Sequence, residues 1–118
     1  MDRPLNTPGR GEIWLVNFDP TVGAEIRKTR PAAIISNDLN NQFAATATVI
    51  PITDKGEKVY PFEVLLASSN TGLPKPSKMK CQQIRTIDKS RLIKLLGVMT
   101  KEEVENVNRA LVIHLGME

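Results

Sequence analysis

The side chains that could carry chemistry are few in kind. The chain has one histidine, His114, and one cysteine, Cys81, so no histidine pair and no paired-Cys or His-rich metal spacing exists. Neither a glycine-rich phosphate loop nor a Gly-x-Ser-x-Gly elbow occurs. His114 falls in helical register with Val107 and Leu111, which predicts a partly buried structural residue. Cys81, in an apparent strand between Lys80 and Gln82, reads as a small packed hydrophobe rather than a reactive thiol. Catalysis would then rest on Arg, Lys, Glu, Asp, Thr or Ser, with no metal and no cofactor expected.

Charge narrows the field further. The net charge of +3 is modest, but it is unevenly placed. The first 60 residues balance, whereas Lys75, Lys78, Lys80, Arg85, Lys89, Arg91 and Lys94 are opposed only by Asp88, a local excess of +6. Such a segment is either a solvated basic face or a surface for a polyanion such as RNA, DNA or an acidic peptide.

The elements that must position these residues are mostly strands. Glu12–Phe18 is β-branched and aromatic and ends at the turn signal Asp19-Pro20. Asp19–Arg30 lacks periodicity and reads as a long loop, of a length often tied to function. Pro31–Ser36, Thr46–Thr53, Tyr60–Leu66, Lys80–Arg85 and Leu92–Met99 are further strands. Pro51 implies an edge or a bulge in the second of these. Asn37–Phe43 reads as one irregular or helical turn, and Ala67–Pro76 as a loop. Thr100-Lys101-Glu102-Glu103 has capping-box form, followed by Val104, Val107, Leu111, Val112 and Leu115 at helical spacing and by Gly116 as a stop. Several short strands and one amphipathic helix predict a small β-barrel capped by a helix.

With 118 residues, 41% hydrophobic and 25% charged, the chain fits one globular domain, expected over residues 11–118 behind a flexible lead-in at 1–10. A lone cysteine fits a reducing cytoplasm. No apolar run approaches the roughly 18 residues of a membrane span.

Taken in order, Gly11–Val16, Phe18–Glu25, Thr29-Arg30-Pro31, Pro51-Ile52-Thr53, Tyr60–Val64 and Gln83–Leu92 resemble the MazF/PemK/Kid toxin family over nearly the whole chain. The resemblance implies an SH3-like barrel that pairs as a homodimer. It implies sequence-selective cleavage of single-stranded RNA, mRNA included, to 2′,3′-cyclic phosphate and 5′-hydroxyl ends. It also implies a MazE-like antitoxin partner with an acidic tail. The family's central active-site arginine and threonine map onto Arg30 and Thr53, and its first-loop glutamate onto Glu25. Some relatives place an arginine and an aspartate, given acid and base roles, where this chain has Lys80 and Gln82. Glutamine is no proton acceptor, so that form of the mechanism does not carry over.

The physics of these positions stands apart from the resemblance. Attack by a 2′-hydroxyl needs a proton acceptor, a cation for the phosphorane and a donor for the leaving oxygen. Arg30 precedes a proline and is biased to extended backbone. Its fork suits two phosphate oxygens, or equally a surface ion pair with Glu25 or Asp19. Thr53 offers a hydroxyl, or simply packs as a β-branched strand residue. Glu25 is the general-base candidate, or a solvated loop charge. Lys28, Ser77, Lys78, Lys80, Gln82 and Arg85 are candidate RNA contacts. With few aromatic residues, extensive base stacking is not expected. Rival readings are a CcdB-like gyrase poison that is not an enzyme, and an RNA-binding module without turnover.

Overall fold

The structure, a computed structural model, describes residues 7–20, 22–25, 28–56, 58–67 and 69–117. The expected strands form as β1 (Glu12–Asn17), β2 (Thr29–Ile34) and β3 (Thr46–Asp54). Between β2 and β3 lies helix α1 (Asp38–Phe43), capped by the Asn37 side chain, which accepts from the Asn40 amide at 2.8 Å. There follow β4 (Glu63–Leu66), β5 (Ser77–Lys80), β6 (Arg85–Asp88), β7 (Leu92–Val98) and helix α2 (Lys101–His114). The strands pair antiparallel in the order β4-β5-β3-β2-β1-β7, with β6 also on β3. The architecture is mainly β with a C-terminal helix, as expected. The hydrogen-bonded path ends at β4 and β7, so among the described residues the barrel-like sheet is not closed by hydrogen bonds.

One expected strand divides. Lys80–Arg85 is not continuous: β5 stops at Lys80, Cys81–Gln83 makes a 3-10 turn, and β6 starts at Arg85. The cause lies on β3, which pairs with β6 over Thr46–Val49 and with β5 over Ile52–Asp54. The chain must jog between these two stretches. Pro51 stands at the handover, where a residue without an N–H is tolerated. Tyr60–Phe62 likewise stay outside β4 and turn over it, with the Glu63 amide donating to Tyr60 O at 2.8 Å.

The two faces of the sheet have different fates. Ile13, Ala33, Ile50, Ile52, Met79, Val64 and Leu66 form one cluster, closed by Met99, Val107 and Ala110 from the α2 end. Trp14, Val16, Phe18, Ala32, Ile34, Val49, Ile87 and Leu92 form a second. Helix α2 starts with the anticipated capping box, in which Thr100 Oγ1 accepts from the Glu103 amide at 3.1 Å and Glu103 Oε1 from the Thr100 amide at 2.9 Å. His114 departs from expectation: it is exposed, as is Leu115. The sheet surface runs out near Leu111, and the helix continues past it. Of the expected lead-in, residues 1–6 lie outside the described residues. Pro8 is buried, and Arg10 donates to Ile35 O at 3.0 Å and to Asn108 at 2.9 Å.

The turn at Ser69–Thr71 presses on β7 backbone to backbone. A Cβ on Gly97 would lie 2.4 Å from Asn70 O, and one on Gly72, at φ +73°, would lie 2.1 Å from Leu96 O. Neither contact has a flexible atom that could yield. Gly97→Ala should therefore cost about 3 kcal/mol, the upper end of overpacking penalties. The check is a urea titration, and an unchanged midpoint would show that the turn can lift away.

Candidate functional site

Strand register brings Arg30 and Thr53 together. Ala32 pairs with Pro51, Ala33 with Ile50 and Ile34 with Val49. Continuing that register by two residues sets Arg30 opposite Thr53, and directly opposed residues of an antiparallel pair share a face. Val16 stands opposite Arg30 on the other side, and Lys78 opposite Thr53. The row Val16, Arg30, Thr53, Lys78 thus crosses four strands. It continues the face that holds the second cluster, but here the residues turn polar. Arg30, Pro31, Thr53, Asp54, Lys75 and Ser77 are among the residues lining a single cavity of about 230 Å³. It lies at the sheet end where β2 begins, β3 finishes and β5 begins.

A second cavity, of about 400 Å³, is lined by Ala24, Glu25, Pro51, Gln82, Gln83, Ile84 and Arg85. Pro51 is two residues from Thr53 on the same strand and face, about 7 Å along β3. Glu25 belongs to this second cavity and not to the first. Its Oε1 accepts from the Val22 amide at 2.8 Å, and its Oε2 stands 3.7 Å from Arg85 Nη1. The Arg85 guanidinium in turn lies over the Phe18 ring, 5.4 Å from its centroid.

The other expected contact residues divide between free and occupied. Lys78 is occupied: its Nζ donates to Glu63 Oε1 at 3.0 Å and to Lys58 O at 2.8 Å. Ser77 is buried, and its hydroxyl donates to Lys75 O. Lys75 meets Asp54 at 3.1 Å. Lys75, Lys78 and Arg85 therefore each face a carboxylate from outside the basic segment, which offsets part of the excess counted along the chain. Lys80 is half-buried on the row's face, beside Glu63 in register. Lys28 is exposed in the first loop at φ +67°, where its amide donates to Asp19 Oδ1 at 2.9 Å.

Sequence reasoning missed Glu63. Its side chain is only 1% exposed and accepts from the Tyr60 amide at 3.0 Å, from Lys78 and, at 3.5 Å, from Gln82 Nε2. Burial raises its pKa, but the Tyr60 N–H, Lys78 and Gln82 together outweigh burial and hold it below the usual value. The available signal was an acid inside the apolar run Glu63-Val64-Leu65-Leu66. Also missed was an aromatic pair: the Tyr60 and Phe62 rings stack at 5.5 Å with planes 2° apart, and Lys58 Nζ lies 4.7 Å from the Tyr60 centroid. Tyr60 is exposed, so one stacking surface exists beside the row.

Cys81 is fully buried, and burial and the nearby Glu63 charge push its thiol up to about 12. The native protein should accordingly react with Ellman's reagent only at the rate of unfolding, and fully once in guanidinium. Rapid labelling of the folded chain would show the site to be open.

Among the described residues no three His, Cys, Asp or Glu side chains converge as a metal-ligand set. No helix among them is long and apolar enough to cross a membrane.

Residues 9–115 match the family model described as PemK-like, MazF-like toxin of type II toxin-antitoxin system. The chain is 41% identical to the endoribonuclease MazF9 of Mycobacterium tuberculosis over 113 residues, covering 92% of this chain and 96% of that one. Its fold superposes on a crystal structure of MazF from Deinococcus radiodurans with a TM-score of 0.82 at 28% identity, covering 94% and 98% of the two chains. A MazE–MazF crystal structure from the same organism gives 0.76 at 26% identity, over 95% of this chain and 99% of that one. The chain belongs to the PemK-like, MazF-like toxin family of type II toxin-antitoxin systems.

Proposed function

We propose that Arg30 and Thr53 grip the scissile phosphate of the single-stranded RNA that this toxin-family endoribonuclease cuts. The reading is supported by the β2–β3 register, which when continued from Ala32 and Pro51 sets positions 30 and 53 opposite each other, and by both residues lining one cavity of about 230 Å³. The Arg30 fork neutralises charge as the phosphorane forms, and the Thr53 hydroxyl donates to a phosphate oxygen or orients the attacking 2′-hydroxyl. Products are a 2′,3′-cyclic phosphate and a 5′-hydroxyl.

Proton acceptance falls to a carboxylate. Two are candidates: Glu25, which lines the cavity at Pro51 on the face of Thr53, and Asp54, which lines the Arg30 cavity but alternates to the other face of β3 and meets Lys75 at 3.1 Å. Glu63 is unsuited, being buried and held ionised by Lys78. Gln82 stays neutral. Comparing Asp54→Asn with Glu25→Gln assigns the role to whichever variant flattens the pH profile of cleavage.

The protein acts in the cytoplasm, where mRNA is found, as a homodimer. It is restrained by a MazE-like antitoxin whose acidic tail lies over the basic groove; a relative of the same fold is known as a MazE–MazF complex. The test is incubation with a defined single-stranded RNA in EDTA. Fragments with cyclic phosphate ends are expected, and none from the same strand made of deoxynucleotides. Intact RNA alongside blocked DNA supercoiling would favour a gyrase poison, and binding without cleavage an inactive module.

A further inference from the structure

Outside the Arg30–Thr53 cavity, one place among the described residues has polar groups buried and left unmet. Gln82 Oε1 and Arg85 Nη1 are both buried with no hydrogen-bond partner among the described residues. Both residues line the 400 Å³ cavity beside Pro51. Folding normally satisfies such atoms, so two in residues that line one cavity point to groups that a ligand brings once the side chains turn toward it. The volume lies at the small end of ligand pockets, which run from about 300 to 1,000 Å³.

The polarity of the wall restricts the ligand. Arg85 Nη1 is a donor, and Gln82 Oε1 an acceptor. Glu25, half exposed at the mouth, adds a second acceptor, because its Oε2 at 3.7 Å from Arg85 is too far for a hydrogen bond. The Phe18 ring lies beneath the Arg85 guanidinium, 5.4 Å from its Cζ. The complementary edge therefore carries one acceptor beside two donors. Guanine presents that set on its Watson–Crick edge, with O6 as acceptor and N1–H and the 2-amino group as donors. Adenine, cytosine and uracil each offer only one donor group there.

The cavity is one strand step from the phosphate position, since Pro51 and Thr53 share a face of β3. Sequence-specific RNA readers hold unstacked bases by this edge. We infer that this cavity is a subsite for a single unstacked guanine flanking the scissile phosphate, read by Arg85, Gln82 and Glu25. The inference rests on the RNA-cleaving reading above and adds its base selectivity. Glu25 is then a recognition group.

The test uses the full chain and single-stranded RNAs that differ only in the nucleotides flanking the cut. At one flanking position guanine should be cut at least about tenfold faster than inosine, which lacks the 2-amino group, and faster still than adenine. Gln82→Leu should erase the guanine-over-inosine difference. Independently of turnover, guanosine 5′-monophosphate should shift the backbone NMR signals of Gln82–Arg85, while adenosine 5′-monophosphate should not. Cleavage with equal rates for all bases at both flanking positions would overturn the subsite. So would guanosine and adenosine monophosphates that leave those signals unmoved alike. RNA left intact while guanosine monophosphate still shifts the signals would instead sink the nuclease reading and keep the guanine site.

Discussion

Arg30→Ala is expected to slow RNA cleavage by about a thousandfold or more. The phosphorane gathers negative charge that the ground-state diester does not carry, so a cation held in place stabilises the transition state selectively. Removing a preorganised donor of this kind typically costs 10²–10³ in rate, and a phosphate-clamping arginine about 10³ or more. Arg30 sits in β2 opposite Val16 of β1, and that pairing fixes where its side chain departs from the sheet. Arg30→Lys keeps the charge but loses the bidentate fork and should recover only part of the rate. The measurement is single-turnover cleavage with a fluorescent RNA, alongside a urea titration. Arg30 is half-buried at a strand end, so the Ala variant should unfold within about 1 kcal/mol of the wild type. A folded Arg30→Ala protein that keeps a tenth of the activity would remove Arg30 from the mechanism.

Legibility from the sequence tracked how local each feature is. The α2 cap at Thr100 and Glu103 is written in four consecutive residues, and it forms as read. Strands β1 and β3 carry their own β-branched residues. Arg30 and Thr53, by contrast, lie 23 positions apart, and their opposition depends on Ala32 choosing Pro51 as partner. No local pattern fixes that register; the family resemblance supplied it. Glu25 lines the cavity at Pro51 and not the one that Arg30 lines, a division set by the path of the first loop, which has no periodicity to read. The division at Cys81–Gln83 follows from β3 having two successive partners on one edge, which a window of residues does not reveal. His114 continues the apolar spacing of α2, but the sheet beneath the helix ends first.

Lys78→Met is expected to destabilise the fold by about 3–5 kcal/mol, because it leaves the Glu63 carboxylate buried without its cation. The side chains are 13% and 1% exposed, so solvent offers little relief. Replacing both partners by apolar groups, Lys78→Met with Glu63→Leu, should regain most of the loss, since the pair's desolvation cost vanishes along with its attraction. The pH dependence separates this account from simple loss of packing. In the wild type Glu63 is held below its ordinary value of 4.5, so its contribution is in full force above that value and disappears as pH falls through the lower folded value. The stability difference between wild type and Glu63→Gln should thus be flat near neutrality and shrink below about pH 4.5. In Lys78→Met burial is opposed only by the Tyr60 N–H and Gln82, so the Glu63 value rises relative to wild type, and this variant should gain stability relative to wild type as acid protonates the carboxylate. Urea midpoints from pH 3.5 to 7 decide it. Parallel curves for Lys78→Met and wild type across that range would mean that Glu63 does not depend on Lys78 for its charge.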